Sequence, residues 1–477
     1  MRKGYLTLYL SLCLTLMLAF VLTVVEGARR STIRMEGECV ADIALNSVLA
    51  EYHRELLEQY DLLFVDMSYG TSTAGIENTT EHLRRYLQKN FERTDTGVFG
   101  AKDWLQLSVS QLQIKEVSLA SDEGGNVMKR QALEYMKSSS VEGLLVDILD
   151  RISILDTLGF DRGEIEEERR HVQNQIDEIE LPVTVDEEGN EREINLENPA
   201  DQVNQFRNSF LLGLLLGDTS QLSGSTIQQR DYLSQRNRMT GAGIAPGFYQ
   251  PDGAANQLLF DCYLFEKCGW YGNELEKSLL KYQIEYLIAG QASDLENLEQ
   301  IVKRLVIWRE VANVVYLFSD QVKCMEAETL ARTITAVILV PELAPVVKYS
   351  ILFAWAYIES LSDVKILLKG GKIPLIKASE DWRTDLDSIL DFSGEVSEEQ
   401  TGENGLNYQD YLRIMLYLEN STDKNLRAMD IMEMDIRQTP GNSRFRMDAC
   451  FDSYLTEVGI SSAFGYSVHW EKRYSYQ

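Results

Sequence analysis

The chain has 477 residues, 44% apolar and 25% charged, enough for a sizeable core and two or three domains. Its formal net charge of −28 argues against nucleic acid as a partner, because phosphate binding needs clustered Lys and Arg. It argues equally against lying flat on an anionic membrane, and it suits a solvated surface.

From Tyr5 to Val25 there is no charged residue. A secretory signal has an apolar core of about 7–15 residues and a small-residue cleavage site. This run has 21 residues and no Ala-x-Ala pattern follows it. As a helix it reaches about 30 Å, the thickness of the bilayer's hydrocarbon core. We read 5–25 as a retained transmembrane helix, with Thr7, Ser11, Thr15 and Thr23 able to bond back to their own backbone. Residues 1–4 are then a short cytoplasmic N-terminus, and Glu26, Gly27 and Arg29 stand at the lipid boundary. Arg2 and Lys3 on one side nearly balance Arg29, Arg30 and Arg34 on the other. A short N-terminus before a large acidic body favours that body outside the cell.

Residues 26–66 read as a membrane-proximal helix. Val40, Ala44, Val48, Tyr52, Leu56 and Tyr60 recur every fourth residue as one apolar stripe, and Gly27 and Gly37 are points where the joint can bend. The remainder, 67–477, reads as an acidic, mainly helical extracytoplasmic domain. Residues 104–119 alternate with one phase slip and read as a bulged strand. The acidic turn at 121–126 leads into a helix to about Lys137, and an apolar helix covers 141–158. The densely acidic 160–200 segment reads as a helix plus a small hairpin, protruding as an arm. Helix is expected again from 201 to 233. The glycine-rich GAGIAPGFYQPDGA has no preceding strand and no Lys-Ser/Thr after it, so it makes a poor nucleotide loop. Residues 255–320 read as helical, with Gly290 closing one helix and Ser293 to Glu296 capping the next.

The stretch 334–361 is the most apolar after the anchor. Pro341, Glu342 and Pro345 interrupt it, and each uninterrupted piece is too short to cross a bilayer, so it reads as a buried helical core. A polar loop follows at 393–405, then helices from about Tyr408 to Leu418 and over 424–437. The aromatic, alternating tail suits two or three strands that pair with the strand near 105–114. The expected fold class is therefore α+β and mostly helical, with a small antiparallel sheet and one N-terminal transmembrane helix.

Nothing local signals catalysis. His53, His82, His171 and His469 sit in no HExxH pattern, and no GxSxG occurs. We expect no catalytic, cofactor-binding or metal-ligating residues. Of the six cysteines, Cys262 and Cys268 read as two reduced buried thiols, a local disulfide between them being the alternative.

The N-terminus resembles those of TadE- and TadG-like minor pilins, or pseudopilins, of the tight-adherence pilus system. These begin with a short basic segment and a Gly, followed by an apolar helix ending in a pattern like Ile-Glu-Phe-Gly-Arg. Gly4 stands at that Gly, and Glu26-Gly27-Ala28-Arg29 at that ending. The resemblance implies prepilin processing between Gly4 and Tyr5, and assembly through the helix. The family carries Glu five residues after the Gly; this chain carries Tyr9, a departure that bears on both steps. ASDEGGNVMKRQALEYMK, LENLEQIVKRLVIWREVANVVYLFSD, GGKIPLIK and GLNYQDYLRIMLYLENSTDKNLRAMDIME resemble an uncharacterised family of single-pass proteins in Gram-positive bacteria. That family tends to be encoded beside tight-adherence pilus or secretion genes. The implied role is a membrane-anchored, pilin-like structural or assembly component, with the lipid bilayer and pilus or secretion-system proteins as partners. The alternatives are a cell-surface ligand-binding or sensor module and an anchored hydrolase.

Overall fold

The computed structural model describes residues 2–91, 105–137, 142–157, 162–178, 183–185, 191–193, 199–207, 209–337, 339–390 and 405–476. The expected polar loop at 393–405 falls almost wholly outside them, as does the turn of the small hairpin. In chain order the elements are α1 (Arg2–Leu49), α2 (Arg54–Tyr60), β1 (Val65–Asp66), α3 (Ile76–Phe91), β2 (Leu107–Leu119) and α4 (Asp122–Met136). Next come α5 (Glu142–Thr157), α6 (Arg162–Asp177), β3 (Val183–Val185), β4 (Glu191–Glu193), α7 (Pro199–Phe206), α8 (Leu211–Leu216), α9 (Ala254–Lys267) and α10 (Gln283–Ala289). The chain ends with α11 (Asp294–Ser319), α12 (Gln321–Val337), α13 (Ala344–Leu368), α14 (Asp387–Leu390), α15 (Tyr408–Leu418), α16 (Ser421–Arg437), β5 (Cys450–Ser462) and β6 (Ser467–Ser475). The fold is α+β, mostly helical, with a small antiparallel sheet. Where the sequence suggests one outer body from 67 onward, the chain forms two compact units. The first comprises Met1–Ser138, Gln229–Gly253 and Asn425–Gln477; the second comprises Ser139–Gln228 and Ala254–Lys424.

In the first unit, α1 is one unbroken helix of 48 residues. Its uncharged first half satisfies its own polar groups: Ser11 Oγ donates to Leu8 O (2.9 Å), Thr15 Oγ1 to Ser11 O (2.5 Å) and Thr23 Oγ1 to Ala19 O (2.6 Å). No protein covers that half. The second half turns Val40, Ala41, Ala44, Leu45, Val48 and Leu49 into the core, against α3 and the sheet. Central β5 pairs antiparallel with β2 on one side and with β6 and the short β1 on the other. Register shifts along β2 absorb the phase slip seen in the sequence.

The bend expected at Gly27 or Gly37 does not occur, because α1 runs through both. Gly37 instead permits close approach: a Cβ there would lie 2.9 Å from Trp470 Cη2 and 3.3 Å from Ile460 Cδ1. The helix expected over 26–66 does break, after Leu49. His53 Nδ1 accepts the Leu56 N–H (3.3 Å) and so caps a separate α2.

The second unit is built around α13. Every residue from Ser350 to Val364 is buried, and α11 and α12 pack along it. Pro345 lies in its first turn, where the missing N–H costs nothing, so this proline starts a helix rather than breaking one. α6 lies against α13 with Val172 buried, so the helical part of the acidic 160–200 segment is not a protruding arm. The hairpin β3–β4 forms as expected. The expected 201–233 helix shortens to α7 and α8, because Gly217 (φ 72°) ends α8 and a Ser- and Thr-rich run follows. Between α9 and α10 the chain leaves the helix at a Trp270–Asn273 turn with Gly272 at φ 88°.

These contacts separate Gly27 from Gly37. Gly37→Val should lower the urea midpoint of the detergent-solubilised chain, costing about 1–3 kcal/mol by overpacking against Trp470. Gly27→Ala, with open space around it, should instead raise it slightly, by about 0.5–1 kcal/mol.

Candidate functional site

The residues singled out at the N-terminus lie at opposite ends of the bare half of α1. Gly4, Tyr5 and Tyr9 occupy its first turns, with Tyr5 79% and Tyr9 65% exposed. Glu26, Gly27 and Arg29 lie about 33 Å further along the axis at 1.5 Å per residue, so the helix does not bring the two groups together. At the far end the i, i+3 and i, i+4 spacing lets one carboxylate hold two guanidiniums. Glu26 Oε1 accepts from Arg30 Nε (3.0 Å) and Oε2 from Arg29 Nη1 (3.4 Å).

Sequence reasoning missed the group that meets this end. The β5–β6 turn places the Phe464 ring 3.5 Å from the Arg29 guanidinium carbon and the Tyr466 ring 5.4 Å from that of Arg30. The aromatic character of the tail was visible, but its proximity to Glu26 needs the β2–β5–β6 register. Further along, Lys472 Nζ reaches Asp42 (2.5 Å) and Glu38 (3.1 Å), and Tyr454 OH donates to Leu45 O (2.8 Å). The sheet is thus tied to α1 along its length.

Two motifs that look like ligand loops engage each other instead. The Asp122 carboxylate accepts the Gly241 and Gly243 N–H groups (2.7 and 3.0 Å), and Glu123 Oε1 accepts that of Ile244 (3.0 Å). A Cβ at Gly241 would lie 2.4 Å from Asp122 Oδ2, so only glycine lets this backbone approach. Acidic turn and glycine loop are one structural joint of the first unit.

A cavity of about 280 Å³ in the same unit is lined by Asp66, Ser68, Thr71, Arg444 and Arg446 together with the apolar Met239. Asp66 is engaged by the Ser68 N–H (2.8 Å) and hydroxyl (2.6 Å), and Arg446 by Asp448 (2.7 Å). Exposed Arg444 has no ion-pair partner among the described residues, so the cavity offers one guanidinium to an anionic group.

Several clusters of buried charge are internally matched. In the first unit Arg236 pairs with Glu433 (2.6 Å) and Asp448 (2.5 Å), Arg437 with Glu433 (2.9 Å), and both carboxylates are fully buried. In the second, Asp363 accepts from Arg309 Nε (3.0 Å), Lys377 Nζ (2.7 Å) and Asn313 Nδ2 (3.2 Å), while Lys377 also pairs with Glu359. Burial opposes ionisation of Asp363, but the Arg309 and Lys377 charges hold its carboxyl below the usual range. Glu285 lacks such a partner. The Tyr271 N–H (2.9 Å) and Tyr408 OH (2.8 Å) both reach its Oε1, and burial pushes its carboxyl up to about 7.

The local Cys262–Cys268 disulfide is not formed: both are free, buried thiols. Cys262 lies inside α9 and Cys268 one residue past its end, about 9 Å along the axis. A disulfide needs Cα atoms about 4.4–6.8 Å apart. Two of the histidines serve capping and pairing: beyond its cap, His53 Nε2 meets Asn442 Oδ1 (3.2 Å), and His82 pairs with Glu51 (3.0 Å), whereas His171 and His469 are exposed.

Among the described residues, α1 is the helix long and apolar enough to cross a membrane. Residues 189–462, more than half of the chain, match the model of a family of unknown function, DUF5702, and the chain belongs to that family. No curated protein and no solved structure matches the chain.

Two stability outcomes follow from the charges. Arg309→Met should cost about 3–5 kcal/mol in chemical denaturation, because it leaves the buried Asp363 and Glu359 carboxylates sharing Lys377. Glu285 has a folded pKa of about 7 against an ordinary 4.5, so the native state binds the extra proton and its stability falls as pH rises through that window. Glu285→Gln should remove this slope, gaining on the order of 2–3 kcal/mol over wild type at about pH 8 relative to acid.

Proposed function

We propose that this protein is a membrane-anchored, pilin-like structural or assembly component of a tight-adherence or related secretion apparatus. The observation that carries the reading is α1. Its first half is bare and apolar, and its second half packs on a four-stranded antiparallel sheet without an intervening hinge. A rod embedded at one end and clamped to a head at the other is the pilin plan, and it agrees with the Gly4 and Glu26-Gly27-Ala28-Arg29 resemblance. The head lies outside the cell in this reading.

The side of α1 away from the sheet supports assembly through the helix. Ser31, Met35, Cys39 and Ile43 are exposed and four residues apart, forming an uncovered stripe continuous with the bare half. Tyr9 replaces the family's assembly Glu, so recruitment in this chain rests on apolar packing rather than on a buried charge pair.

A second reading, a surface module that takes an anionic ligand, rests on the Arg444 cavity. A thermal shift with inorganic phosphate that Arg444→Ala abolishes would favour it.

The pilin-like reading predicts that the chain resists carbonate extraction from membranes, that its head is cleaved by protease on intact cells, and that pull-down recovers pilus or secretion platform proteins. Mass spectrometry should find a mature start at Tyr5. A start near Arg29 would mean a discarded signal and would end this reading. Oxidation of membranes should link copies through Cys39, with no dimer from Cys39→Ser.

A further inference from the structure

We infer that the β5–β6 turn is a second membrane contact, seating the aromatic pair Phe464 and Tyr466 in the headgroup layer of the bilayer that α1 enters. The inference rests on the anchored reading of α1 and adds a surface of the head to it. Arg29 lies four residues past Val25, the last apolar residue of the run, or about 6 Å along the helix axis. The headgroup layer is about 5–7 Å deep on each side of the hydrocarbon core. The ring of Phe464 packs 3.5 Å from the Arg29 guanidinium carbon, so the turn sits at that depth.

The chemistry of the turn fits lipid better than water. Phe464 remains 50% exposed although Arg29 covers one face of its ring. Gly465, at φ 75°, makes the tight turn, and Tyr466 accompanies Phe464 with a hydroxyl suited to the polar layer. The paired strand segments at this end, 105–114 and 458–470, carry no Asp, Glu, Lys or Arg. Charge starts at the next rows, with Lys115 joined to Glu457 (3.0 Å) and Glu471 (2.8 Å). In a chain of net charge −28, a charge-free sheet end beside the membrane-entering part of α1 avoids desolvating carboxylates at the lipid surface. Two contacts, helix and turn, would fix the tilt of the sheet against the membrane.

The test uses the full chain in nanodiscs of phosphatidylcholine brominated near the headgroup, with Trp emission read against unbrominated discs. Phe464→Trp, and independently Tyr466→Trp, should add emission of which at least about half is quenched. Tyr52→Trp, placed beyond the distal end of α1, should add emission that is not quenched. If wild type enters the discs but emission added at 464 and 466 is quenched no more than at 52, the turn contact is wrong and the anchor stands. If the chain does not enter the discs at all, the anchor reading fails first and the inference goes with it.

Discussion

The clamp between the second half of α1 and the sheet is the constraint on which the first unit depends. Val40, Ala44, Leu45 and Val48 bury completely or nearly so against Tyr454, Val458 and Ile460. Each large apolar side chain buried here contributes about 1.5–3 kcal/mol before the entropy of ordering is subtracted. Gly37 lets the Trp470 indole lie directly on the helix backbone. Lys472 then closes over Asp42 and Glu38. α1 runs unbroken through Gly27 into this clamp, so whatever holds residues 5–25 also orients the sheet.

The second unit solves a different problem. Its central helix α13 is buried all round from Ser350 to Val364 and carries Glu359 and Asp363 into the core. These carboxylates are tolerated because Arg309, Lys377 and the backbone of residues 383–384 converge on them. The cluster ties the loop after α13 back to α11 and α13. Its charges pair with one another. The matched family segment covers most of this unit and the last strands' neighbourhood of the first, whereas α1 lies outside it. The family relation therefore speaks to the head, and the membrane reading rests on α1 alone.

Much of this fold is legible in the residues because local signals and tertiary packing agree. The four-residue stripe from Val40, the phase slip in β2, the Ser293 cap and the proline-punctuated core helix all carry their meaning within a few residues. Where residues and fold part, a partner distant in sequence is often the cause. Gly37 looks like a hinge until Trp470 is laid on it. Asp122 and the Gly241–Gly243 loop read as a plain turn and a poor nucleotide loop, and only the fold shows that each satisfies the other. Cys262 and Cys268 are the reduced, buried thiols expected, set apart by local helix geometry. At the candidate site, Glu26 and Arg29 were legible and Phe464 was not, because a β-register brings it there.

Hydrogen exchange of the full chain in nanodiscs, read by mass spectrometry along α1, tests the central claim most directly. A single clamped rod predicts slow exchange over both 5–25 and 33–49, with protection continuing through the Glu26–Thr32 junction. Fast exchange across that junction, with protection only on either side, would mean a hinged tether and would contradict it.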